Sequence, residues 1–290
     1  DGTVMGNSQD SSGGISARVF KNGGWGFAST PDLTDDSIRS VIRTATENAA
    51  FMDSKLGNSP HELPSVPGQG SNTFATTKAR SSQRELIDFV RELDSFIVSE
   101  CPGLSSRTLS LRGLDMEKSL LTSDGSEAYL LVPRSICYIM MSIEKDGVTF
   151  ELFDVLGGRG QFEDVFSAPG DYKESILGIY ENLKRKADGV YAEAGLKDCI
   201  LDADLAGVFA HEAIGHTTEA DLVIGGSVAG EYVGKQVGSP LVNMVDFANT
   251  AFGETCPVPV YVDDEGTSAT DAVLIKDGVL EGFMHNKESA

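Results

Sequence analysis

Basic residues are scarce in this chain. Its 290 residues contain 23 Lys and Arg against 44 Asp and Glu, which leaves a formal net charge of −21. A surface this acidic repels phosphate backbones and anionic headgroups, so the charge argues against nucleic acid and membranes as partners. Long hydrophobic runs are also missing, because the longest run, Ile136 to Met141, is far shorter than the roughly 18 residues that span a bilayer. That run predicts a buried strand.

Cysteine and histidine are limited to four residues each. Cys101, Cys137, Cys199 and Cys256 form no CxxC pair and are too widely spaced for a dense disulfide framework, so we expect reduced thiols in the cytoplasm. With so few histidines, two that lie close together in the sequence stand out. The chain opens on Asp1 without an initiator Met or a signal peptide, so we expect a processed or partial polypeptide.

The order of the predicted elements indicates an α+β fold. Turn signals at Asn22-Gly23-Gly24 and Lys276-Asp277-Gly278 predict hairpins near the two ends of the chain. Apolar residues at helical spacing predict helices that begin near residues 34, 80 and 171. Period-two alternation predicts an antiparallel meander over 107–153 and a further strand over 258–262. We therefore expect N-terminal helices packed on an antiparallel sheet, followed by a mostly β C-terminal region that carries a buried helix.

This order also suggests two domains, an N-terminal α/β domain over 1–190 and the start of a C-terminal domain over 191–290. Residues 57–73 are rich in Pro and Gly and predict a surface connection in which His61 is a solvated loop histidine. Gly157 to Gly160 form a glycine-rich stretch without a nucleotide-binding pattern, and we interpret it as a turn.

One short segment carries the chemistry. His211-Glu212-Ala213-Ile214-Gly215-His216 continues an apolar helix that Asp202 or Asp204 can cap, and Glu212 is the only formally charged residue from Leu205 to Thr218. Such a helix is expected to be buried. A buried carboxylate between two imidazoles needs partners, and a divalent metal ion supplies them.

The spacing of the two histidines makes a geometric prediction. Residues five apart on a regular α-helix point about 140° away from each other, so His211 and His216 could not share one ion. A π-bulge, or a helix that ends or kinks at Gly215, would bring them to one face. The metal hypothesis therefore requires non-α backbone between the two histidines. The competing hypothesis is a structural helix whose histidines only satisfy core hydrogen bonds, and it predicts an unbroken α-helix through Gly215.

Several blocks of the sequence resemble a known family. Ala206 to His216, followed by Glu219 and Asp221, is similar to the HExxxH segment of the TldD/PmbA metallopeptidase family, also labelled "modulator of DNA gyrase". The resemblance covers most of the chain and is strongest from about residue 200 onward. Its other blocks are Gly24 to Ala28, Gly234 to Val242 with Val245-Asp246, Val262 to Thr267 and Leu280 to Met284.

The resemblance implies a cytoplasmic, zinc-dependent peptidase that acts on small or unfolded peptides. It implies that His211 and His216 are zinc ligands, and that Glu212 is the general base for the water that attacks the peptide carbonyl. Family members work as dimers, so we expect a homodimer or a heterodimer with a PmbA-like subunit. Glu219 and Asp221 are left open between orienting the histidines and being a solvated helix end.

The chain departs from the family pattern at the third zinc ligand. The resemblance implies a cysteine in a part of the pattern that lies beyond Ala290, so we expect a truncated or partial version with an incomplete site. Cys256 and His285 are the only downstream candidates within the sequence, and nothing in their spacing recommends them. The alternative function is a non-catalytic or truncated subunit of the same family that binds peptides or its partner without hydrolysing them.

Overall fold

The computed structural model describes residues 2–56 and 62–290, so the prediction for His61 falls outside the described residues. The chain divides into two compact units, residues 3–64 and 65–290. The predicted domain boundary at 190/191 stays a prediction.

The first unit is a hairpin with one helix. Strands β1 (Ile15–Lys21) and β2 (Gly24–Thr30) pair antiparallel through a turn in which Asn22 and Gly23 both have positive φ, at 48° and 87°. This type of two-residue turn matches the twist of paired strands, and the predicted hairpin is confirmed. Helix α1 (Asp35–Leu56) packs closely on β2 at Gly26, where a Cβ atom would lie 2.0 Å from a backbone carbonyl oxygen of the helix.

The second unit contains a four-stranded sheet. Its strands are β3 (Gln69–Thr73), β4 (Ser106–Leu121), β5 (Glu127–Lys145) and β6 (Val148–Arg159). Strand β5 pairs antiparallel with β4 and β6, which confirms the predicted meander. Strand β3 runs parallel to β5. It pairs with the N-terminal part of β5, on the same edge where β6 pairs with the rest of that strand. Strand β3 lies in the stretch that we predicted to be a surface connection, and a short polar edge strand held by backbone hydrogen bonds shows no hydrophobic alternation in the sequence.

The glycine-rich stretch at 157–160 is not the turn that we predicted. Gly157, Gly158 and Arg159 form the end of β6 and pair with β5. Gly157 has a φ of 114°, and a Cβ atom there would lie 2.2 Å from the carbonyl oxygen of Ser135. Glycine is therefore needed at 157 for the close approach of two strands rather than for a change of chain direction.

Helices cover one face of this sheet. Helix α2 (Gln83–Glu100) begins at a capping box formed by Ser82 and Glu85. After β6, the short helix α3 (Phe162–Val165) and a 3₁₀ turn (Pro169–Tyr172) lead into helix α4 (Lys173–Ala187). The core between the helices and the sheet consists of fully buried aliphatic side chains. They include Leu93, Ile97, Ile139, Met141, Ile176 and Leu183. Arg107 on β4 binds Asp94 on α2 through two hydrogen bonds, which ties the helix to the sheet.

The region after residue 190 consists of short elements. Helix α5 (Ala203–Ala210) continues into a π-helical turn (His211–Gly215) and a 3₁₀ turn (His216–Thr218), and α6 (Ala220–Ile224) and a further 3₁₀ turn (Val228–Glu231) follow. The strands are β7 (Met244–Asp246), β8 (Thr250–Ala251), β9 (Glu254–Thr255), β10 (Ala272–Lys276) and β11 (Val279–Leu280). They form a three-stranded sheet, β11-β10-β7, and the small β8-β9 hairpin.

The predictions for this region are partly correct. The α+β class and the hairpin at 276–278 are confirmed, because β10 and β11 are joined by Asp277 and Gly278 at positive φ. The expected mostly β character is limited to the two small sheets. No strand forms over 258–262, where Pro257 and Pro259 remove two backbone donors that a strand ladder would need.

The expectation of a buried helix is wrong in this chain. Leu205, Val208 and Phe209 on α5 are 53 %, 56 % and 60 % exposed, and no residue of α5 is buried. Apolar residues on a helix indicate that other residues should pack against them, but composition does not say which part of a molecule provides those residues. Among residues 62–290, α5 makes its main contacts with the π-helical turn that directly continues it.

Candidate metal centre

The segment that leads to the site begins with a capped helix. The carboxylate of Asp202 accepts a hydrogen bond of 2.8 Å from the backbone N–H of Leu205, so Asp202 is the N-cap of α5. The helix then runs two turns to Ala210 and presents His211 at its C-terminal end. The prediction that Asp202 or Asp204 caps this helix is therefore confirmed for Asp202.

The backbone between the two histidines is not α-helical. Residues His211–Gly215 form a π-helical turn, in which the backbone N–H of His216 donates to the carbonyl of His211. This turn places residues five apart on the same face. The predicted distortion is confirmed, and the unbroken α-helix of the competing structural hypothesis is wrong.

The turn brings the three polar side chains of the motif together. The imidazole ring centroids of His211 and His216 are 4.6 Å apart. One candidate ligand atom from each of His211, Glu212 and His216 can be chosen so that all three lie within 4.8 Å of one another. Within residues 2–56 and 62–290, this is the only cluster of three or more such side chains with metal-binding geometry, and neither Cys256 nor His285 belongs to it.

Hydroxyl groups support the change of helix type after Ile214. Thr217 and Thr218 each donate a side-chain hydrogen bond of 2.9 Å to the carbonyl of Ile214, and Thr218 is buried. Ser227 donates to the carbonyl of Thr217 at 2.7 Å. Where the helix changes from π to 3₁₀, regular helical hydrogen bonds are lost, and these hydroxyls satisfy carbonyls near the junction.

Glu219 contacts one of the two histidines. Its Oε1 atom lies 2.6 Å from Nδ1 of His216, a short, charge-assisted geometry. The Nε2 atom of the same ring lies 4.0 Å from Oε2 of Glu212 and is therefore directed toward the cluster. A carboxylate on the second ring nitrogen is the usual way in which proteins fix the orientation and tautomer of a metal-binding histidine. Asp221 does not take part, because its carboxylate accepts from the backbone N–H of Leu222.

The site is open to solvent in this chain. The side chains of Glu212 and His216 are 65 % and 50 % exposed. A cavity of about 330 Å³ adjoins the turn, and its largely apolar lining includes Ala213, Tyr232 and Leu280. The arrangement presents two imidazoles and a carboxylate to an accessible surface, which suits binding of a divalent cation.

Family models match nearly the whole chain. Domain 1 of the PmbA/TldA metallopeptidases matches residues 1–49, their central domain matches 79–189 and their C-terminal domain matches 195–290. The chain belongs to the PmbA/TldD metallopeptidase family. The HExxxH segment lies in the part matched by the C-terminal domain.

Relatives of this PmbA/TldD chain are named metalloproteases. A metalloprotease of Methanocaldococcus jannaschii is 26 % identical over all of this chain and 63 % of its own length. A zinc metalloprotease TldD homolog of Saccharolobus solfataricus is 25 % identical over 94 % of this chain and 58 % of its own length. The chain thus spans about three fifths of the length of these relatives.

The solved structures that share the fold include the following two. One is described as a putative modulator of DNA gyrase from Bacteroides thetaiotaomicron, with a TM-score of 0.75, 15 % identity and coverage of 97 % of this chain and 63 % of that chain. The other is TldE from Thermococcus kodakarensis, with a TM-score of 0.58, 19 % identity and coverage of 92 % and 58 %. The described helices include none with the length and hydropathy of a bilayer-spanning segment.

Proposed function

We propose that this PmbA/TldD metallopeptidase chain forms the active site of a zinc-dependent peptidase that hydrolyses small or unfolded peptides. The observation that carries the proposal is the π-helical turn, which brings His211, Glu212 and His216 to one face. The two imidazoles and the carboxylate that the distortion unites are all exposed, so these three side chains do not contribute to a packed core.

The donor set fits zinc. Neutral imidazole nitrogens are preferred zinc ligands, and a catalytic zinc site has three protein ligands and an open position. The chain offers two such imidazoles, His211 and His216. The family resemblance implies a cysteine as the third ligand, in a part of the family pattern that lies beyond the position matching Ala290.

Each residue of the cluster then has a role. His211 and His216 hold the ion, and Glu219 positions the ring of His216 through its hydrogen bond to Nδ1. Zinc bound here supplies Lewis acidity toward the peptide carbonyl and makes water more acidic. Glu212 accepts the proton of the attacking water and passes it to the departing amine. The open surface around Glu212 admits an extended peptide chain.

We further propose that the enzyme works in the cytoplasm as a dimer, either with a second copy or with a PmbA-like subunit. All four cysteines are free thiols, which agrees with a reducing compartment. The likeness to TldE, a protein of the same fold, agrees with a partnership between two family members.

Metal binding is the first test. Zinc is titrated into the metal-free chain by calorimetry, and bound metal is counted by mass spectrometry. We expect about one zinc ion per chain, and at least about 100-fold weaker binding in His211→Ala and His216→Ala. His285→Ala is the matched control, since this exposed histidine lies outside the cluster. If neither the wild-type chain nor a form extended downstream to the expected cysteine takes up zinc, the protein is a peptide- or partner-binding subunit instead.

Peptide hydrolysis is the second test. Glu212→Gln keeps the size of the side chain but removes the base, so the turnover of unfolded peptides is expected to fall about 100-fold or more while zinc remains bound. Glu92→Gln, on the exposed face of α2, is the control and should hydrolyse peptides at the wild-type rate. Unchanged turnover in Glu212→Gln would refute the proposed base.

A further inference from the structure

Arginines gather on the outer face of the four-stranded sheet. Arg134 on β5 lies directly opposite Arg159 on β6, and Arg112 on β4 lies opposite Ile136, two residues along β5 from Arg134. Directly opposed residues of an antiparallel pair point to the same face, and residues two apart on a strand share a face. The register therefore places all three guanidinium groups on the side of the sheet away from α2 and α4.

These arginines have no carboxylate partner. No Asp or Glu of the described chain forms an ion pair with Arg112, Arg134 or Arg159, although acidic residues outnumber basic ones by almost two to one. The acidic residues that follow Arg159 in the sequence are engaged elsewhere: Glu163 pairs with Arg80 and Asp164 pairs with Lys78.

Arg159 is held in place by an aromatic ring. Its guanidinium lies 4.6 Å from the centre of the Phe74 ring, which stacks on Tyr261. Its Nε atom is buried and has no hydrogen-bond partner among the described residues. The cation–π contact restrains the guanidinium, while burial of an unsatisfied donor is costly. Both features suit an arginine that is oriented in advance for a ligand with oxygen acceptors.

The electrostatics point to an anion of more than one charge. Like charges placed directly opposite on neighbouring strands repel, and Arg134 and Arg159 are both half-buried, so solvent screens them less than surface charges. A bound dianion would remove the repulsion and accept hydrogen bonds from the terminal nitrogens of the two guanidinium groups. Arginine binds phosphate through two parallel hydrogen bonds, and a phosphate monoester carries about 1.5 to 2 negative charges at pH 7.

We propose that Arg134 and Arg159, with Arg112 beside them, form a binding site for a phosphate group. The ligand is a small phosphate or phosphate ester, because the overall charge of −21 opposes a polyanion such as nucleic acid. The site does not depend on the proposed zinc centre, since none of its residues belongs to the His211 cluster.

Calorimetric titration with inorganic phosphate tests the site, with the 290-residue chain held at constant ionic strength by sodium chloride. We expect saturable binding, weakened at least about tenfold in Arg134→Gln and in Arg159→Gln. Arg84→Gln is the matched control, because the Arg84 side chain is 90 % exposed on α2, and it should bind as wild type does. Arg159→Lys keeps the charge but loses the planar fork, and it should bind phosphate several-fold more weakly.

Four outcomes would overturn the proposal. They are the absence of phosphate binding by the wild type, equal affinity in wild type and both glutamine variants, equal affinity in Arg159→Lys, and tighter binding of acetate or succinate than of phosphate. Circular dichroism of each variant without phosphate shows whether it folds. If a glutamine variant does not fold, the lysine variant at the same position, Arg134→Lys or Arg159→Lys, decides the result, and it should bind phosphate several-fold more weakly than wild type.

Discussion

Replacement of Glu219 by Gln tests whether this carboxylate positions the metal-binding ring. Its Oε1 lies 2.6 Å from Nδ1 of His216, within the range of a charge-assisted hydrogen bond. Gln keeps the length of the side chain and its ability to accept a hydrogen bond, but it removes the negative charge. Loss of such a partner typically lowers metal affinity by about 10- to 100-fold, or about 1.4 to 2.7 kcal/mol. We expect a loss in this range for zinc binding by Glu219→Gln.

The assay is competitive zinc titration against a chromophoric chelator, which reports affinity whether or not the chain is active. Asp221→Asn is the matched control. Its carboxylate lies two residues away, carries the same charge and accepts from a backbone N–H rather than from an imidazole. If Glu219→Gln and Asp221→Asn bind zinc equally well, Glu219 contributes only general negative charge, and the positioning argument is wrong.

Three further substitutions test other parts of the structure. Gly215→Ala should bind zinc with an affinity within about twofold of wild type, because a Cβ atom there would make only ordinary contacts of 3.6 Å or more. A large loss of zinc affinity would show that the turn needs glycine. Gly26→Ala should destabilise the first unit by at least about 1–3 kcal/mol in urea unfolding followed by tryptophan fluorescence, because its Cβ would overlap a carbonyl of α1. Gly113→Ala is the control for this substitution, because a Cβ atom at position 113 would have no neighbour within 4 Å. The pKa of Asp124 is lowered from 3.8 to about 2, mainly by the hydrogen bond from Thr122. The ionised carboxylate therefore stabilises the fold above about pH 4, and this contribution is lost as the pH falls through 2. Asp124→Asn should therefore be less stable than wild type at pH 6 and approach it near pH 2, and a difference that does not vary with pH would contradict this assignment.

Local sequence signals predicted the local structure well. Paired turn residues with a preference for positive φ specified both hairpins, and apolar residues at helical spacing located α1, α2 and α4. Under the metal hypothesis, the spacing of His211 and His216 predicted non-α backbone between them, either a π-bulge or a break at Gly215, because two rings five residues apart cannot share a ligand on a regular helix; the structure has the π-helical turn. These features depend on the preferences of neighbouring residues, which a single sequence records.

The tertiary structure decided everything that depends on distant partners. Strand β3 carries no hydrophobic pattern and exists only because β5 offers it an edge, and Gly157 belongs to a strand only because Ser135 approaches its backbone. The apolar residues of α5 indicated burial, but whether they are covered depends on what packs against them. The Arg134–Arg159 pair arises from strand register, which brings residues 25 positions apart to the same place on the sheet. Sequence therefore determined the local conformation and the chemistry of the motif, whereas cross-strand register and packing decided which charges meet and which surfaces remain open.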